Sequence, residues 1–203
     1  MKNVHLHIKY GNGRHWDNHP RTYAEDFANF LRLREFDDLI VDLGCGAGHD
    51  VAVFTENGFK TIGIDRSQDE TIAARLVHPN LKFDQQNGEA LSFDDNSVGA
   101  FFCINLMHYV NQTKILAEIS RALKPCGYLF VHFNLSIIDH TGKVDFEQSA
   151  QEILINLKDL RPVRFKIVQR IDNTPIPHEH KIFELVMQKP LPEKRKKIIA
   201  IYN

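Results

Sequence analysis

The residues with the clearest chemical potential are three glycines at alternate positions, Gly44, Gly46 and Gly48, in the stretch VDLGCGAGHD. They directly follow an apolar run that reads LIVDL, and a stretch with helical spacing comes after them. A strand, a glycine loop and the start of a helix place unpaired backbone N–H groups and the positive end of a helix dipole around one point. The pattern therefore predicts a site for a nucleotide-like ligand that is at least partly anionic.

An acidic residue, Asp65, lies 21 residues after Gly44, at the end of the predicted strand FKTIGID. A carboxylate at this position can accept hydrogen bonds from both hydroxyl groups of an adenosine ribose. The alternative is a carboxylate that serves only the dipole of the next helix, which opens on the capping-box residues Ser67 and Glu70. The glycine loop upstream favours the ribose role.

The spacing of the glycines bears on which nucleotide would bind. Pyrophosphate-binding loops of dinucleotide enzymes follow G-x-G-x-x-G, in which the third glycine allows the helix to pack closely on the strand. Here the series is G-x-G-x-G, which weakly disfavours a dinucleotide. A nicotinamide-dependent oxidoreductase stays open as an alternative, although it gives no role to the motifs described next.

Several motifs in the same order resemble those of the class I S-adenosylmethionine-dependent methyltransferases. They are the acidic-apolar-Gly-x-Gly-x-Gly motif at 42–48, the ribose-binding acid Asp65, the acidic motif QNGEALSF at 86–93, the fourth-strand motif at 101–110 and an LKPGG-like motif at 123–128. The resemblance covers roughly residues 37–190. It implies an enzyme that transfers a methyl group from S-adenosylmethionine.

The resemblance also implies which residues hold this cofactor. Gly44, Cys45, Gly46 and Gly48 would wrap its methionine part, and Asp65 would hold its ribose. The other implied contacts are Arg66 beside the adenine, Asn87 and Gly88 at the adenine amino group and a ring nitrogen, Cys103 along the methionine part, and Tyr23 at the cofactor carboxylate. Asn87 stands where the family usually has Asp, so this position conserves geometry but loses a charge.

Methyl transfer from a sulfonium is an in-line attack by the acceptor, and much of its rate comes from positioning. Ligands of open α/β sheets bind outside the carboxyl ends of the strands. His108 and Tyr109 follow the fourth strand and are the candidate catalytic residues, with His108 as a general base because histidine titrates near neutral pH. A structural role for His108 is the alternative. His15 and Trp16 in the N-terminal segment join Tyr23 as candidates on the acceptor side.

The sequence favours a small-molecule acceptor. The tripeptide HDV after the glycine loop and the compact ending resemble the branch that includes tellurite-resistance and thiopurine-type methyltransferases. The formal net charge is −1, which gives no overall basic footprint for nucleic acid. The alternatives are an RNA or protein methyltransferase and a non-catalytic S-adenosylmethionine-binding protein.

Two His-x-His pairs, His5 with His7 and His178 with His180, raise the question of a metal site, because alternate residues of a strand point the same way. Two imidazoles without a nearby carboxylate or thiolate rarely bind a metal, so we predict none. The cysteines Cys45, Cys103 and Cys126 are scattered, without the spacing of a zinc or redox site, and are expected to be reduced thiols. Cys45 is then a neighbour of the cofactor and not a nucleophile.

The elements that must position these residues alternate between apolar strand-like runs and helical patterns after residue 38, which is typical of a mainly parallel sheet with helices on both faces. We predict strands at 39–43, 59–65, 81–86, 100–107 and 128–133, then a helix over 146–160 and an antiparallel pair, RFKIVQRI and HKIFELVMQK. With the resemblance, this gives an α/β, Rossmann-like fold with a seven-stranded, mostly parallel sheet and an antiparallel strand near the end.

Length and composition predict one domain. The 203 residues are 43% hydrophobic and 25% charged, close to the average for globular proteins. We divide the chain into an N-terminal lid segment (1–38), a cofactor-binding domain (39–190) and a basic C-terminal tail (191–203). No run approaches the roughly 20 apolar residues that span a bilayer, so we expect a cytoplasmic monomer or homodimer with no membrane partner.

Overall fold

A computed structural model describes Leu6, Lys9 and residues 21–173 and 176–192. The strands are β1 (Ile40–Leu43), β2 (Thr61–Asp65), β3 (Phe83–Gln85), β4 (Val98–Cys103), β5 (Leu123–Asp139), β6 (Val144–Glu147), β7 (Arg161–Asp172) and β8 (His178–Gln188). The helices are α1 (Thr22–Arg32), α2 (His49–Glu56), α3 (Gln68–Val77), α4 (Gln112–Ala122) and α5 (Ala150–Asn156). His5, His7, His15, Trp16 and most of the basic tail lie outside the described residues.

These strands form one sheet in the order β3-β2-β1-β4-β5-β8-β7, and β6 pairs with β5 beside this path. The pairs from β3 to β5 are parallel, whereas β8 is antiparallel to both β5 and β7. The α/β, Rossmann-like fold with a mostly parallel sheet is confirmed. The predicted count of seven strands is wrong by one in the described chain, because β6 adds an eighth strand.

The added strand β6 takes the place of the first part of the helix that we predicted over 146–160. Phe146 pairs with Ile137 of β5 and is therefore extended. The helix begins only after Ser149, whose side-chain oxygen accepts a hydrogen bond from the Glu152 backbone N–H at 3.1 Å. The Glu152 carboxylate accepts in return from the Ser149 backbone N–H, which completes a capping box and fixes the start of α5.

Helices cover both faces of the sheet. On one face, Ile115 and Ile119 of α4 pack with Phe101 and Phe133 of the central strands. On the other face, Phe27 of α1 contacts Phe102 and Phe130, with ring centroids 5.9 and 5.4 Å apart. The described helices of this chain include none with the length and apolar character needed to cross a bilayer.

Helix α1 belongs to the segment that we predicted as a lid, yet it packs into this core. Ala24, Phe27, Ala28 and Leu31 are fully buried. Since these side chains pack with the central strands, α1 is part of the core of the sheet. It also places Tyr23 beside the carboxyl end of β4, because the Tyr23 ring contacts His132, which follows the β5 residue paired with Cys103.

Candidate functional site

The glycine loop adopts a backbone conformation that requires glycine. Gly44, Gly46 and Gly48 have φ angles of 83°, 49° and 83°, a region that other residues enter only at a cost. The backbone N–H groups of Gly44 and Cys45 donate to the Ile64 carbonyl oxygen at 2.7 and 3.1 Å. These bonds fix the loop across the carboxyl end of β2, so the loop is a rigid turn.

The close packing at Gly48 explains why a side chain is excluded there. A Cβ atom at Gly48 would lie 2.5 Å from two ring atoms of Phe83. Gly48 also precedes α2 and has left-handed dihedral angles. Helix α2 can therefore start close to the strands, and its N-terminus stays beside the loop.

Asp65 connects the glycine loop to the next helix. Its Oδ2 atom accepts a hydrogen bond from the Gly46 N–H at 3.2 Å, and Oδ1 accepts from the Ser67 N–H at 2.9 Å. The Ser67 side chain caps α3 by accepting from the Glu70 N–H at 3.3 Å. The carboxylate therefore lies at the edge of the loop, where the sequence predicts a carboxylate that binds ribose. It also supports the start of α3.

A buried carboxylate beneath the loop was not among the predicted site residues. Asp42, at the carboxyl end of β1, is 2% exposed, and its Oδ2 atom has no hydrogen-bond partner within the described residues. Burial raises the pKa of Asp42 well above its ordinary value, and the charges of Asp50 and Asp65 raise this pKa further. The acidic position of the glycine motif was the available signal, but sequence alone does not show that the carboxylate is buried.

These three carboxylates change the expected character of the ligand. Asp50 lies in the first turn of α2 and is 5% exposed. The helix N-terminus and backbone N–H groups favour an anionic group at one point, whereas Asp42, Asp50 and Asp65 favour positive charge close by. The site is therefore suited to a ligand that carries both an anionic group and a positive charge, and poorly suited to a ligand that is only anionic.

The two cysteines of the predicted site are inert thiols. Burial raises the pKa of Cys45, and the charges of Asp42 and Asp65 raise it further. Burial also raises the pKa of Cys103, with a smaller contribution from Asp42. Both thiols remain protonated at neutral pH, which agrees with the expectation that Cys45 is not a nucleophile.

The predicted adenine contacts lie beside Asp65. Arg66 and Asn87 are both exposed, and Asn87 uses its Oδ1 atom to accept from the Glu89 N–H at 3.0 Å. A Cβ atom at Gly88 would lie 2.7 Å from Ile115 Cδ1, so the backbone runs directly over α4 there. Because β2 and β3 are paired through Asp65 and Gln85, both segments end at the same edge of the sheet.

On the acceptor side, His108 is part of a buried polar chain. The side-chain amide of Asn134 in β5 contacts two histidines. Its Nδ2 atom lies 3.2 Å from His108 Nδ1, and its Oδ1 atom lies 2.8 Å from His180 Nδ1. Since an amide nitrogen can only donate, His108 Nδ1 is an acceptor in this assignment. Burial lowers the pKa of His108 to about 3, helped by the charge of His180. A histidine with so low a pKa is a weak base, which favours a hydrogen-bonding role over the general-base role expected from sequence.

Tyr109 and the N-terminal segment lie next to this chain. The Tyr109 ring centroid is 3.9 Å from that of His108, and burial raises the pKa of Tyr109 to about 12. Leu6 packs with Ile137, and Tyr109 lies against the same cluster. Lys9 forms an ion pair with Asp139 at 2.9 Å. The described part of the N-terminal segment therefore covers the carboxyl end of β5.

The structure corrects the premise on which metal binding was excluded. Asp172 of β7 pairs with His178 in the register of β7 and β8. One potential ligand atom from each of Asp172, His178 and His180 lies within 4.8 Å of the other two. A carboxylate therefore does adjoin the His178–His180 pair, although it comes from a different strand.

Comparison with known proteins shows which domain the chain resembles. Residues 41–131 match the family described as "Methyltransferase domain". The uncharacterized methyltransferase YcgJ of Bacillus subtilis is 27% identical in an alignment of 130 positions that covers 60% of this chain and 49% of that protein. Matches to the curated relatives span only 37% to 58% of those proteins' lengths.

Solved structures share the fold. A SAM-dependent methyltransferase from Methanosarcina mazei has a TM-score of 0.67 at 20% identity and covers 77% of this chain and 94% of its own. A geranyl diphosphate methyltransferase in complex with SAM has a TM-score of 0.64 at 15% identity, with 83% and 85% covered. Residues 41–131 therefore resemble a methyltransferase domain, and the chain shares the fold of S-adenosylmethionine-dependent methyltransferases.

Proposed function

We propose that this protein transfers the methyl group of S-adenosylmethionine to a small-molecule acceptor. The observation that carries the proposal is the buried Asp42 beneath the glycine loop, with Asp50 and Asp65 contributing to its raised pKa. S-adenosylmethionine has a sulfonium and an ammonium against one carboxylate and is a net cation. The pyrophosphate of a dinucleotide would bring more negative charge to these carboxylates, which argues against a nicotinamide-dependent oxidoreductase.

The residues of the loop fit this cofactor in type and position. The backbone of Gly44, Cys45, Gly46 and Gly48 would enclose its methionine part, with the start of α2 near its carboxylate. Asp65 would accept from the ribose hydroxyls, while Arg66, Asn87 and Gly88 would border the adenine. Cys103 and Tyr23 complete the proposed contacts. When bound, the cofactor supplies an electrophilic methyl group on a positively charged sulfur.

The residues on the acceptor side, His108 and Tyr109, would position the acceptor and would not take its proton. His108 is neutral because burial lowers its pKa to about 3, and Tyr109 keeps its proton because burial raises its pKa to about 12. Both side chains can orient an acceptor by hydrogen bonds and can exclude water. We infer that the acceptor's nucleophile attacks without deprotonation by His108, so that rate comes chiefly from alignment.

Two observations support a small acceptor over RNA or protein. Leu6 packs in one cluster with Ile137 and Tyr109, and Lys9 pairs with Asp139, so both residues cover part of the surface beside Tyr109. The formal net charge of −1 gives no general attraction to a polyanion. This agrees with the resemblance to the branch of tellurite-resistance and thiopurine-type methyltransferases, and we propose a cytoplasmic monomer or homodimer.

The test is transfer of a labelled methyl group from S-adenosylmethionine to fractions of a cell extract separated by size. We expect label in the low-mass fraction and loss of that label with Asp65→Ala. The matched control is Asp159→Asn, which changes an exposed carboxylate between α5 and β7. Label in the RNA or protein fraction would favour the macromolecular alternative. Binding of S-adenosylmethionine without transfer to any fraction would indicate a non-catalytic binding protein.

A further inference from the structure

A cluster of three potential metal ligands lies at the amino end of β8. His178 and His180 are two residues apart on this strand, so their side chains share one face. Asp172 lies directly opposite His178 on β7, and directly opposed residues of an antiparallel pair also share a face. The register of two strands therefore brings the carboxylate to the imidazole pair.

The distances within the cluster are those of groups that could share one ion. The Oδ2 atom of Asp172 lies 3.3 Å from His180 Nε2 and 4.0 Å from His178 Nε2. Ligands bound tetrahedrally to zinc at about 2.0–2.1 Å lie roughly 3.3 Å from one another. All three atoms lie within 4.8 Å of one another, so metal binding needs side-chain rotations that shorten the longest separation by at most about 1.5 Å.

Hydrogen bonds on the far side of each ring orient the two imidazoles. His178 Nδ1 lies 2.6 Å from the Ile176 carbonyl oxygen, and His180 Nδ1 lies 2.8 Å from the amide oxygen of Asn134. Both partners are acceptors, so in this assignment each Nδ1 atom carries a proton, and the Nε2 atom of each ring is the ligand atom that faces Asp172. An N–H donated to an oxygen of the protein is the usual support of a histidine that ligates a metal.

Two lone pairs and a carboxylate that face one point repel each other unless a positive charge lies between them. His178 and His180 are 2% and 6% exposed, so water screens this repulsion poorly. Arg170 donates to Asp172 Oδ2 at 2.9 Å and partly offsets it. A carboxylate has about four lone-pair sites, so Asp172 can hold this guanidinium and a metal ion together.

We propose that Asp172, His178 and His180 bind a divalent transition-metal ion of the zinc class, with Asn134 and the Ile176 carbonyl as supporting hydrogen-bond partners. Two imidazoles and one carboxylate suit zinc or iron(II) and not Mg²⁺ or Ca²⁺, which take oxygen ligands. Three protein ligands leave a coordination position for water or for an acceptor atom. Asn134 connects this site to His108, but metal binding does not depend on the proposed methyl transfer.

The experiment is calorimetric titration of the metal-free protein with Zn²⁺, with Mg²⁺ in parallel. We expect one saturable Zn²⁺ site per chain and no comparable Mg²⁺ binding. His180→Gln and Asp172→Asn should abolish the Zn²⁺ site, and Asn134→Leu should weaken it roughly 10- to 100-fold. His140→Gln is the matched control, because His140 is exposed and belongs to no cluster of three potential ligands among the described residues. Equal Zn²⁺ binding by His180→Gln and the wild type would overturn the proposal.

A second measurement needs no variant and so does not depend on variants that fold. Histidine side-chain ¹H–¹⁵N spectra of the wild-type protein report which ring nitrogen carries the proton. We expect His178 and His180 as Nδ1–H tautomers whose Nε2 signals move when Zn²⁺ is added. Nε2 protons that persist on both rings at saturating Zn²⁺ would show an ordinary His–Asp ion pair and would refute the metal site.

Discussion

Replacing Asp42 with asparagine should stabilise the free protein and lower its affinity for S-adenosylmethionine. The substitution keeps the shape of the side chain but removes its negative charge. Asp42 is 2% exposed, and its Oδ2 atom has no hydrogen-bond partner among the described residues. Asparagine still buries a polar amide, so the gain is the extra cost of the charge over a neutral polar group, which is on the order of 1–3 kcal/mol. For a chain of this size, that range corresponds to a rise of roughly 2–12 °C in the melting temperature.

The sign of the pH dependence follows from the raised pKa of Asp42. A carboxyl group whose pKa is higher in the folded protein is favoured at low pH, and this contribution is lost as the pH rises through the folded pKa. The advantage of Asp42→Asn in free energy of unfolding should therefore be absent below about pH 4, the ordinary pKa of aspartate. It should grow above that pH until Asp42 is fully ionised in the folded protein.

Although Asp42→Asn should stabilise the free protein, it should weaken the binding of S-adenosylmethionine. Loss of a charged partner costs about 1.5–3 kcal/mol, which is roughly a 10- to 150-fold weaker binding constant. In the wild type, affinity for the cationic cofactor should rise with pH as Asp42 ionises, and this rise should disappear in Asp42→Asn. Thermal unfolding and calorimetry on the same samples, with Asp159→Asn as control, measure both effects. A variant that is destabilised, or that binds S-adenosylmethionine as the wild type does, would refute the reasoning.

The remaining predictions concern other parts of the site. Asp65→Asn should weaken S-adenosylmethionine binding by roughly 10- to 150-fold in calorimetry, because the ribose loses a charged acceptor; unchanged affinity would remove Asp65 from the site. Gly48→Ala and Gly58→Ala should both carry about 1–2 kcal/mol of backbone strain, since their φ angles are 83° and 85°. Only Gly48→Ala places a Cβ atom 2.5 Å from the Phe83 ring, so denaturant unfolding should show a further loss of about 1–3 kcal/mol for it alone. The His108 pKa is lowered from 6.5 to about 3, so the free energy of unfolding should fall as the pH drops through that range, and His108→Gln should flatten this fall. The pH dependence of the methyl-transfer rate should show no inflection near pH 6.5. An inflection there that disappears in His108→Gln would show that His108 acts as a general base.

The sheet and the glycine loop were predictable because their signals are local. Strands β1 and β4 and the YLFVHF part of β5 are mostly apolar and buried, and each glycine of the motif has a positive φ angle. The short strand β6 gave no such signal, since VDFE is largely exposed and becomes extended only by pairing with β5. The capping box of Ser149 and Glu152 was visible in the sequence and marks the true start of α5.

The charges of the site were less predictable because they depend on burial and on strand register. Asp42 was recognised as part of a motif, but the lack of a hydrogen-bond partner for its Oδ2 atom in the described part of the chain is a property of the packed sheet. Likewise, Asp172 and His178 are brought together by the pairing of β7 and β8, which no local spacing reveals. The prediction of no metal therefore depended on a contact that sequence could not show.

The most direct test of the central claim is a calorimetric titration of the wild-type protein with S-adenosylmethionine and, in parallel, with NAD⁺. The acidic glycine loop predicts saturable, one-to-one binding of S-adenosylmethionine that Asp42→Asn and Asp65→Asn weaken, and no comparable binding of NAD⁺. Tighter binding of NAD⁺, or no binding of S-adenosylmethionine at any pH at which the protein is folded, would contradict it.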